Sequence, residues 1–214
     1  PSNYYYGLTF FYLKQYDKAL RSLKTAEKSK VYREHIPYYV AQIYFAEGKY
    51  DEVISYAKPL LKEPSIKKKR ELTLLIGQSY FEKQDYDKSL PYLERYAQIT
   101  EKMSEETFYQ IGYLQYRAGK YAEAVEQFKE VSKVKSELGQ NAFYLLGDSH
   151  IKLGENNNAR NAFAAAGRLN FNPKTKEDAN WNYAKLSYEM KYDTEAIAAF
   201  QKIPDGDKHY LEAQ

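Results

Sequence analysis

Few of the residue types that carry out catalytic or metal chemistry occur together in this sequence. The chain has no cysteine and three histidines, and the histidines His35, His150 and His209 lie far apart. They form no His-x-x-x-His pair and no His–Glu cluster at the spacing of metal ligands. The sequence also has no glycine-rich phosphate loop, nucleophile elbow or kinase motif. We therefore expect no catalytic site, no metal and no cofactor, and a protein that is not an enzyme.

One basic run, Lys-Lys-Lys-Arg at residues 67–70, could contact a phosphate or an acidic partner. The alternative is a solvated junction between two helices. The formal net charge of +3 is small for 214 residues, and no regular basic stripe accompanies the run. The sequence therefore gives no indication of nucleic acid as a partner. No apolar run approaches the roughly 20 residues that span a bilayer, so we expect no direct membrane insertion.

Aromatic residues are the side chains best suited to bind a partner. The sequence has 24 tyrosines, 10 phenylalanines and 1 tryptophan, and many of them recur in two series. The first series is Tyr4, Tyr38, Leu74, Tyr109, Tyr144 and Trp181. The second series is Phe11, Phe45, Phe81, Tyr116, Ile151 and Tyr188. Tyrosine and tryptophan bury large areas, lose little rotamer entropy and keep a polar group, which suits a binding surface.

Small residues recur in the same register and indicate where pairs of helices touch. One set is Gly7, Ala41, Gly77, Gly112, Gly147 and Ala184, and twelve residues after each stands Ala19, Val53, Ser89, Ala124, Ala159 or Ala196. Glycine inside a helix costs about 1 kcal/mol relative to alanine, so its recurrence at one position implies close packing. Three more glycines, at 48, 119 and 154, are placed to close a helix in the left-handed conformation.

These positions predict six hairpins of antiparallel helices. The predicted pairs are 3–14 with 17–29, 34–47 with 50–62, 68–83 with 86–98, 105–118 with 121–134, 138–153 with 156–168, and 176–190 with 193–203. The repeats run over about 1–32, 33–66, 67–102, 103–136, 137–173 and 174–207, and a further helix starts within 208–214. We expect Pro59 to bend or shorten its helix. Because the linkers 63–66 and 170–173 are short, we expect one domain over residues 1–214.

The repeated pattern resembles the tetratricopeptide repeat, a helix-turn-helix unit with a period of about 34 residues. The resemblance rests on segments such as GYLQYRAGKYAEAVEQFKEV at 112–131 and AQIYFAEGKYDEVISYAKPL at 41–60. Similar segments occupy 7–26 and 77–96. The resemblance implies an all-α, right-handed superhelical solenoid of about six antiparallel helix hairpins.

The same resemblance implies that first helices line a concave groove, and that the chain is a non-catalytic scaffold for a peptide or protein partner. The groove would comprise Tyr4, Tyr38, Gln42, Leu74, Gln78, Tyr109, Tyr113, Tyr116, Tyr144, Asp148, Trp181, Lys185 and Tyr188. The Lys, Asn and Arg clamp by which some members bind chaperone tails has no counterpart in any register. Alternatively, the rings pack between helices, and the chain is a structural spacer or a self-association module within a longer multi-repeat protein.

The location of the protein is suggested by a narrower likeness. The tyrosine-rich segments 35–52 and 182–190 resemble those of large bacterial extracytoplasmic tetratricopeptide proteins. This likeness implies a periplasmic or otherwise extracytoplasmic protein. The chain begins with Pro1 inside a repeat, which we interpret as a piece of a longer protein.

Overall fold

The computed structural model describes residues 2–203, and every regular element in that range is an α-helix. The chain divides into two compact units, unit 1 (Pro1–Lys102) and unit 2 (Met103–Gln214). The predicted all-α array of hairpins is therefore confirmed for the described residues. The further helix predicted from residue 208 lies outside them.

Unit 1 consists of three helical hairpins in chain order. Its helices are α1 (Ser2–Tyr12), α2 (Tyr16–Ala26), α3 (Ile36–Ala46), α4 (Tyr50–Leu60), α5 (Lys69–Glu82) and α6 (Tyr86–Gln98). Helix α4 ends one residue after Pro59 and has 11 residues, as α2 does, so Pro59 does not shorten it relative to a second helix without proline. Pro91 lies in the second turn of α6, and that helix continues to Gln98.

Unit 2 repeats the arrangement over its described residues. Its helices are α7 (Glu105–Arg117), α8 (Tyr121–Val131), α9 (Glu137–Lys152), α10 (Asn156–Arg168), α11 (Pro173–Glu189) and α12 (Asp193–Phe200). In both units each bound of a helix lies within three residues of its predicted position. Most second helices have an acidic residue in their first turn, such as Asp51 in α4 and Glu123 in α8, where the helix dipole favours negative charge.

Within each hairpin the two helices approach as closely as the small residues predict. A methyl group built on Gly77 would lie 2.5 Å from Leu93 Cδ2, and one on Gly112 would lie 2.9 Å from Phe128 Cε1. The Ser89 hydroxyl donates a 2.8 Å hydrogen bond to the Gly77 carbonyl, directly joining α6 to α5. Glycine is therefore needed at these positions because the partner helix occupies the space of a side chain.

The turn inside each hairpin has the same length and the same backbone conformation. Three residues separate the two helices in all six described hairpins. The middle residue has a positive φ in each, namely Lys14, Gly48, Gln84, Gly119, Gly154 and Lys191. The predicted glycine positions are thus confirmed, and three of the turns place Lys or Gln in a conformation that costs a non-glycine residue roughly 1–2 kcal/mol.

The long junction between α10 and α11 is held by one buried side chain. Gln140 of α9 is fully buried, and its Nε2 donates to the carbonyls of Ala166 (3.1 Å), Leu169 (3.0 Å) and Asn172 (3.3 Å). Its Oε1 accepts from the backbone N–H of Phe171 (3.0 Å) and of Asn172 (2.8 Å). The extra linker residues are therefore tied to the first helix of the preceding hairpin.

Candidate partner-binding surfaces

The first aromatic series in unit 2 is anchored from within its own hairpins. Each ring of the first helix meets, edge to face, a phenylalanine 19 residues later on the second helix. The pairs are Tyr109–Phe128, Tyr144–Phe163 and Trp181–Phe200, with ring centroids 6.0, 5.5 and 5.7 Å apart. The three first-helix rings are half-buried. Edge-to-face contacts fix ring orientation, so these rings are held in place before any partner binds.

The second aromatic series packs across the hairpin turn. In several repeats the ring contacts a tyrosine at the first position of the second helix. Examples are Phe45–Tyr50, Phe81–Tyr86 and Tyr116–Tyr121, with centroids 5.4, 5.6 and 5.5 Å apart. Tyr188 differs because the following second helix begins with Asp193, and the Tyr188 side chain remains 60% exposed. This series therefore contributes mainly to hairpin packing, apart from Tyr188.

Predicted site residues on α7 and α9 lie together. The Tyr116 hydroxyl donates to the Asp148 carboxylate, which joins the first helices of two consecutive hairpins. Burial, and then this hydrogen bond, raises the pKa of Tyr116 above its ordinary value. The rings of Tyr109 and Tyr113 stack with centroids 6.4 Å apart and an interplanar angle of 10°. Burial, followed by the charge of Tyr113, likewise raises the pKa of Tyr109. Four predicted groove residues thus form one ordered surface.

The surface continues to α11 through polar contacts. The Thr175 hydroxyl donates to Asn141 Oδ1 at 2.8 Å, which joins α11 to α9. The Asn182 amide donates to the backbone carbonyl of Asp178 at 2.8 Å. Lys185 and Tyr188, one and two turns beyond Trp181, are exposed. The α11 part of the surface therefore carries the side chains that are most open to solvent.

In unit 1 the predicted residues lie on α1, α3 and α5. The Gln42 amide donates to the Tyr38 hydroxyl at 2.8 Å, and the Lys68 ammonium lies 4.5 Å from the Tyr38 ring centroid. Burial, and then the charge of Glu71, raises the pKa of Tyr38. Tyr4 stacks on another tyrosine at 4.5 Å, and Leu74 and Gln78 are half-buried on α5.

The basic run at 67–70 is tied into the same unit. Lys67 pairs with Glu34 at 3.6 Å, and Arg70 pairs with Glu71 at 3.2 Å. Because Lys68 also contacts the Tyr38 ring, three of the four cations have a partner within unit 1. This geometry agrees with the interpretation of the run as a junction between helices.

The two histidines among the described residues do not assemble a metal centre. Within residues 2–203 no group of three or more His, Asp or Glu side chains could hold a metal ion. His35 is exposed at the start of α3, and His150 is buried in α9 beside Glu155. His209 lies outside the described residues. No helix among those described is long and apolar enough to cross a membrane.

Two cavities lie on surfaces that the sequence did not indicate. One of about 580 Å³ lies between α8, α9 and α10, and another of about 610 Å³ lies between α10, α11 and α12. His150 lines the first cavity. The only signal in the sequence is its register, since the equivalent position holds Phe10, Tyr44 and Tyr80 in the first three repeats. In the last three repeats the position is polar, with Gln115, His150 and Ser187.

Sequence comparison identifies two family models along the chain. The model of the anaphase-promoting complex, cyclosome, subunit 3 matches residues 82–166. A model of the tetratricopeptide repeat matches residues 144–209. No curated protein matches the chain in sequence.

Solved structures of low sequence identity share the fold. MamA AMB-1 is 17% identical with a TM-score of 0.65, and the match covers 78% of this chain and 90% of MamA. YrrB, described as a TPR protein with an unusual peptide-binding site, is 18% identical with a TM-score of 0.63. That match covers 89% of this chain and 90% of YrrB. With six hairpins in register among the described residues and two matching family models, the chain belongs to the tetratricopeptide-repeat proteins.

Proposed function

We propose that the chain is a non-catalytic scaffold for protein–protein interaction, whose first helices bind a peptide or a segment of a partner protein. The observation that carries this proposal is the row Tyr109, Tyr144 and Trp181, each ring half-buried and held edge to face by its own hairpin. Rings that are already ordered lose little entropy on binding, so more of the contact energy appears as affinity.

Polar groups beside these rings would orient the ligand. Asp148 and Asn182 lie on the same first helices, and Lys185 is exposed on α11. Apolar anchors with amide and charged groups between them suit an extended or helical segment. In unit 1 the hydrogen-bonded Tyr38 and Gln42 offer the same combination of ring and amide. The peptide-binding site of YrrB belongs to a protein of the same fold, and this also favours the proposal.

The experiment uses residues whose loss leaves the hairpin intact. Alanine at Tyr109, Tyr144 or Trp181 would also remove a packed ring, so a loss of binding there has two causes. Tyr188 and Lys185 are exposed and serve better. Peptides would be selected from a displayed random library against the purified chain, and their affinities measured by fluorescence anisotropy.

We expect Tyr188→Ala and Lys185→Ala each to weaken binding of the selected peptides about tenfold, which corresponds to about 1.4 kcal/mol of binding free energy. Thermal unfolding should stay unchanged. Tyr12→Ala is the matched control, because Tyr12 is a 71% exposed tyrosine of unit 1, whereas Tyr188 and Lys185 lie on α11 of unit 2. Peptides that are insensitive to both α11 variants, or equally sensitive to Tyr12→Ala, would contradict the proposal.

A second candidate function, self-association or a spacer role in a longer multi-repeat protein, is favoured by one face of α1. Tyr6 and Leu13 are 59% and 60% exposed. In the four hairpins that follow another hairpin of the same unit, the equivalents of Tyr6 are Val40, Ile76, Leu146 and Tyr183. The first three are 0, 0 and 7% exposed, and Tyr183 is half-buried. An apolar face that is buried elsewhere in the array suits a further hairpin.

Sedimentation velocity distinguishes this candidate. Self-association through α1 predicts a dimer or larger species that Tyr6→Glu abolishes and Tyr12→Glu does not. A monomer at every concentration tested would refute self-association.

A further inference from the structure

The cavity between α8, α9 and α10 has an apolar interior and a polar rim. Its apolar wall consists of Val125, Phe143, Leu146 and Ala162, and its volume of about 580 Å³ lies within the range of ligand pockets. All of its lining residues belong to unit 2. It has room for one large side chain and part of the segment that carries it.

One polar atom at this cavity lacks a partner. The His150 side chain is only 7% exposed, and its Nδ1 lies 2.6 Å from Glu155 Oε2. Its other nitrogen, Nε2, has no hydrogen-bond partner within the described part of the chain. This nitrogen is not among the fully buried atoms that lack a partner, so it keeps some exposed surface and can accept a hydrogen bond from a group that enters the cavity.

Glu155 fixes the tautomer of a neutral His150. Hydrogen bonds from Asn158 (3.1 Å) and then from His150 lower the pKa of Glu155, so its carboxylate is charged at neutral pH. A charged carboxylate accepts the Nδ1 proton, and in a neutral imidazole the second nitrogen is then an acceptor. With the imidazole neutral, the cavity therefore presents a hydrogen-bond acceptor beside apolar side chains.

The rim charges favour the same kind of ligand. Glu126 and Lys129 pair at 2.8 Å and offset each other. The charge of Glu155 is not offset, so the lining residues together have a net charge of −1 when His150 is neutral. A negative rim disfavours an anionic ligand and favours a group that donates a hydrogen bond.

We propose that this cavity binds the indole ring of a tryptophan presented by a partner protein, with the indole N–H donating to His150 Nε2. Indole is the side-chain group that combines a large apolar surface with a single N–H donor and no acceptor. Phe143 in the wall provides an aromatic contact for it.

This site is separate from the first-helix surface and does not depend on it. On α9 the cavity uses Phe143, Leu146 and His150, whereas the first-helix surface uses Tyr144 and Asp148. At about 100° per residue, the two groups point roughly 150° apart around the helix. Both surfaces could therefore be occupied at once.

The test uses indole itself and 1-methylindole, which has nearly the same shape and no N–H. Titrations would be followed in ¹H–¹⁵N spectra of the labelled chain. We expect indole to shift resonances of the cavity residues, and 1-methylindole to bind about tenfold more weakly, the loss expected for one hydrogen bond. In His150→Phe the two compounds should bind equally. This variant suits the fold because Phe10 occupies the equivalent position in the first repeat.

His35→Phe is the matched control and should keep the preference for indole. Equal binding of the two compounds by the unaltered chain would overturn the proposal. Shifts confined to other surfaces, or no shift up to the solubility limit of indole, would overturn it as well. These outcomes do not require the variant to fold, so the comparison in the unaltered chain is decisive by itself.

Discussion

Replacing Gln140 by methionine should destabilise unit 2 by removing the hydrogen bonds that hold the junction before α11. Gln140→Met is informative because methionine has a similar length and no branching. It fills the same space but offers neither the strong donor nor the strong acceptor. The variant therefore separates hydrogen bonding from packing at a fully buried position.

The magnitude follows from the groups that lose their only partner. The backbone N–H groups of Phe171 and Asn172 and the Leu169 carbonyl bond to Gln140 and to no other group among the described residues. The other two carbonyls bound by Gln140 each keep a backbone partner. At about 1 kcal/mol for each lost hydrogen bond, the free energy of unfolding of unit 2 should fall by about 2–3 kcal/mol. The lower value applies if water reaches the linker and replaces some of these bonds.

Two measurements test this value. Trp181 is the only tryptophan of the chain and lies in unit 2, so its fluorescence during denaturant unfolding reports on that unit. Hydrogen exchange at Phe171 and Asn172 should become roughly 30- to 140-fold faster, which is the same free energy expressed as a rate. Gln98→Met, at an exposed position of α6, is the control and should change stability by less than about 0.5 kcal/mol. Unchanged protection of both amides would refute the reasoning.

Two further predictions concern backbone conformation and pH. Gln84→Gly should stabilise unit 1 by about 1 kcal/mol, and Gly119→Ala should destabilise unit 2 by a similar amount, because both positions have a positive φ. Circular dichroism during denaturation measures both, and shifts of the opposite sign would contradict the expectation. Hydrogen bonds from Asn158 and His150 lower the pKa of Glu155. The resulting stability is present above the unfolded pKa of about 4.3 and is lost as pH falls through the folded value. Glu155→Gln should therefore reduce the acid sensitivity of thermal unfolding below about pH 5, and an unchanged pH profile would argue against it.

The sequence predicts the hairpins well because their packing leaves few choices of residue. Only a residue without a large side chain fits at Gly112 beside Phe128, so the spacing of such residues reveals the register. The left-handed turns at Gly48 and Gly119 were predicted because glycine favours that backbone conformation at the end of a helix. Gln84 was not predicted to be left-handed, because glutamine has no preference for that conformation and the packed helices on either side impose it.

The surface was predicted less completely than the fold. The rings of the first series were located, but their pairing with second-helix phenylalanines 19 residues later depends on how the hairpin closes. Whether this row binds a partner stays a prediction. The cavity at His150 arises where three helices meet, and no local pattern of residues marks it.

The edge-to-face pairs also limit how this protein can change during evolution. A mutation at Tyr109 or Tyr144 alters the hairpin together with any binding surface, so selection for stability would oppose it. Mutations at exposed positions such as Lys185 and Tyr188 do not disturb the packing of a hairpin. Related proteins should therefore keep the paired rings while they exchange these outer residues, and differences in partner choice should be sought there first.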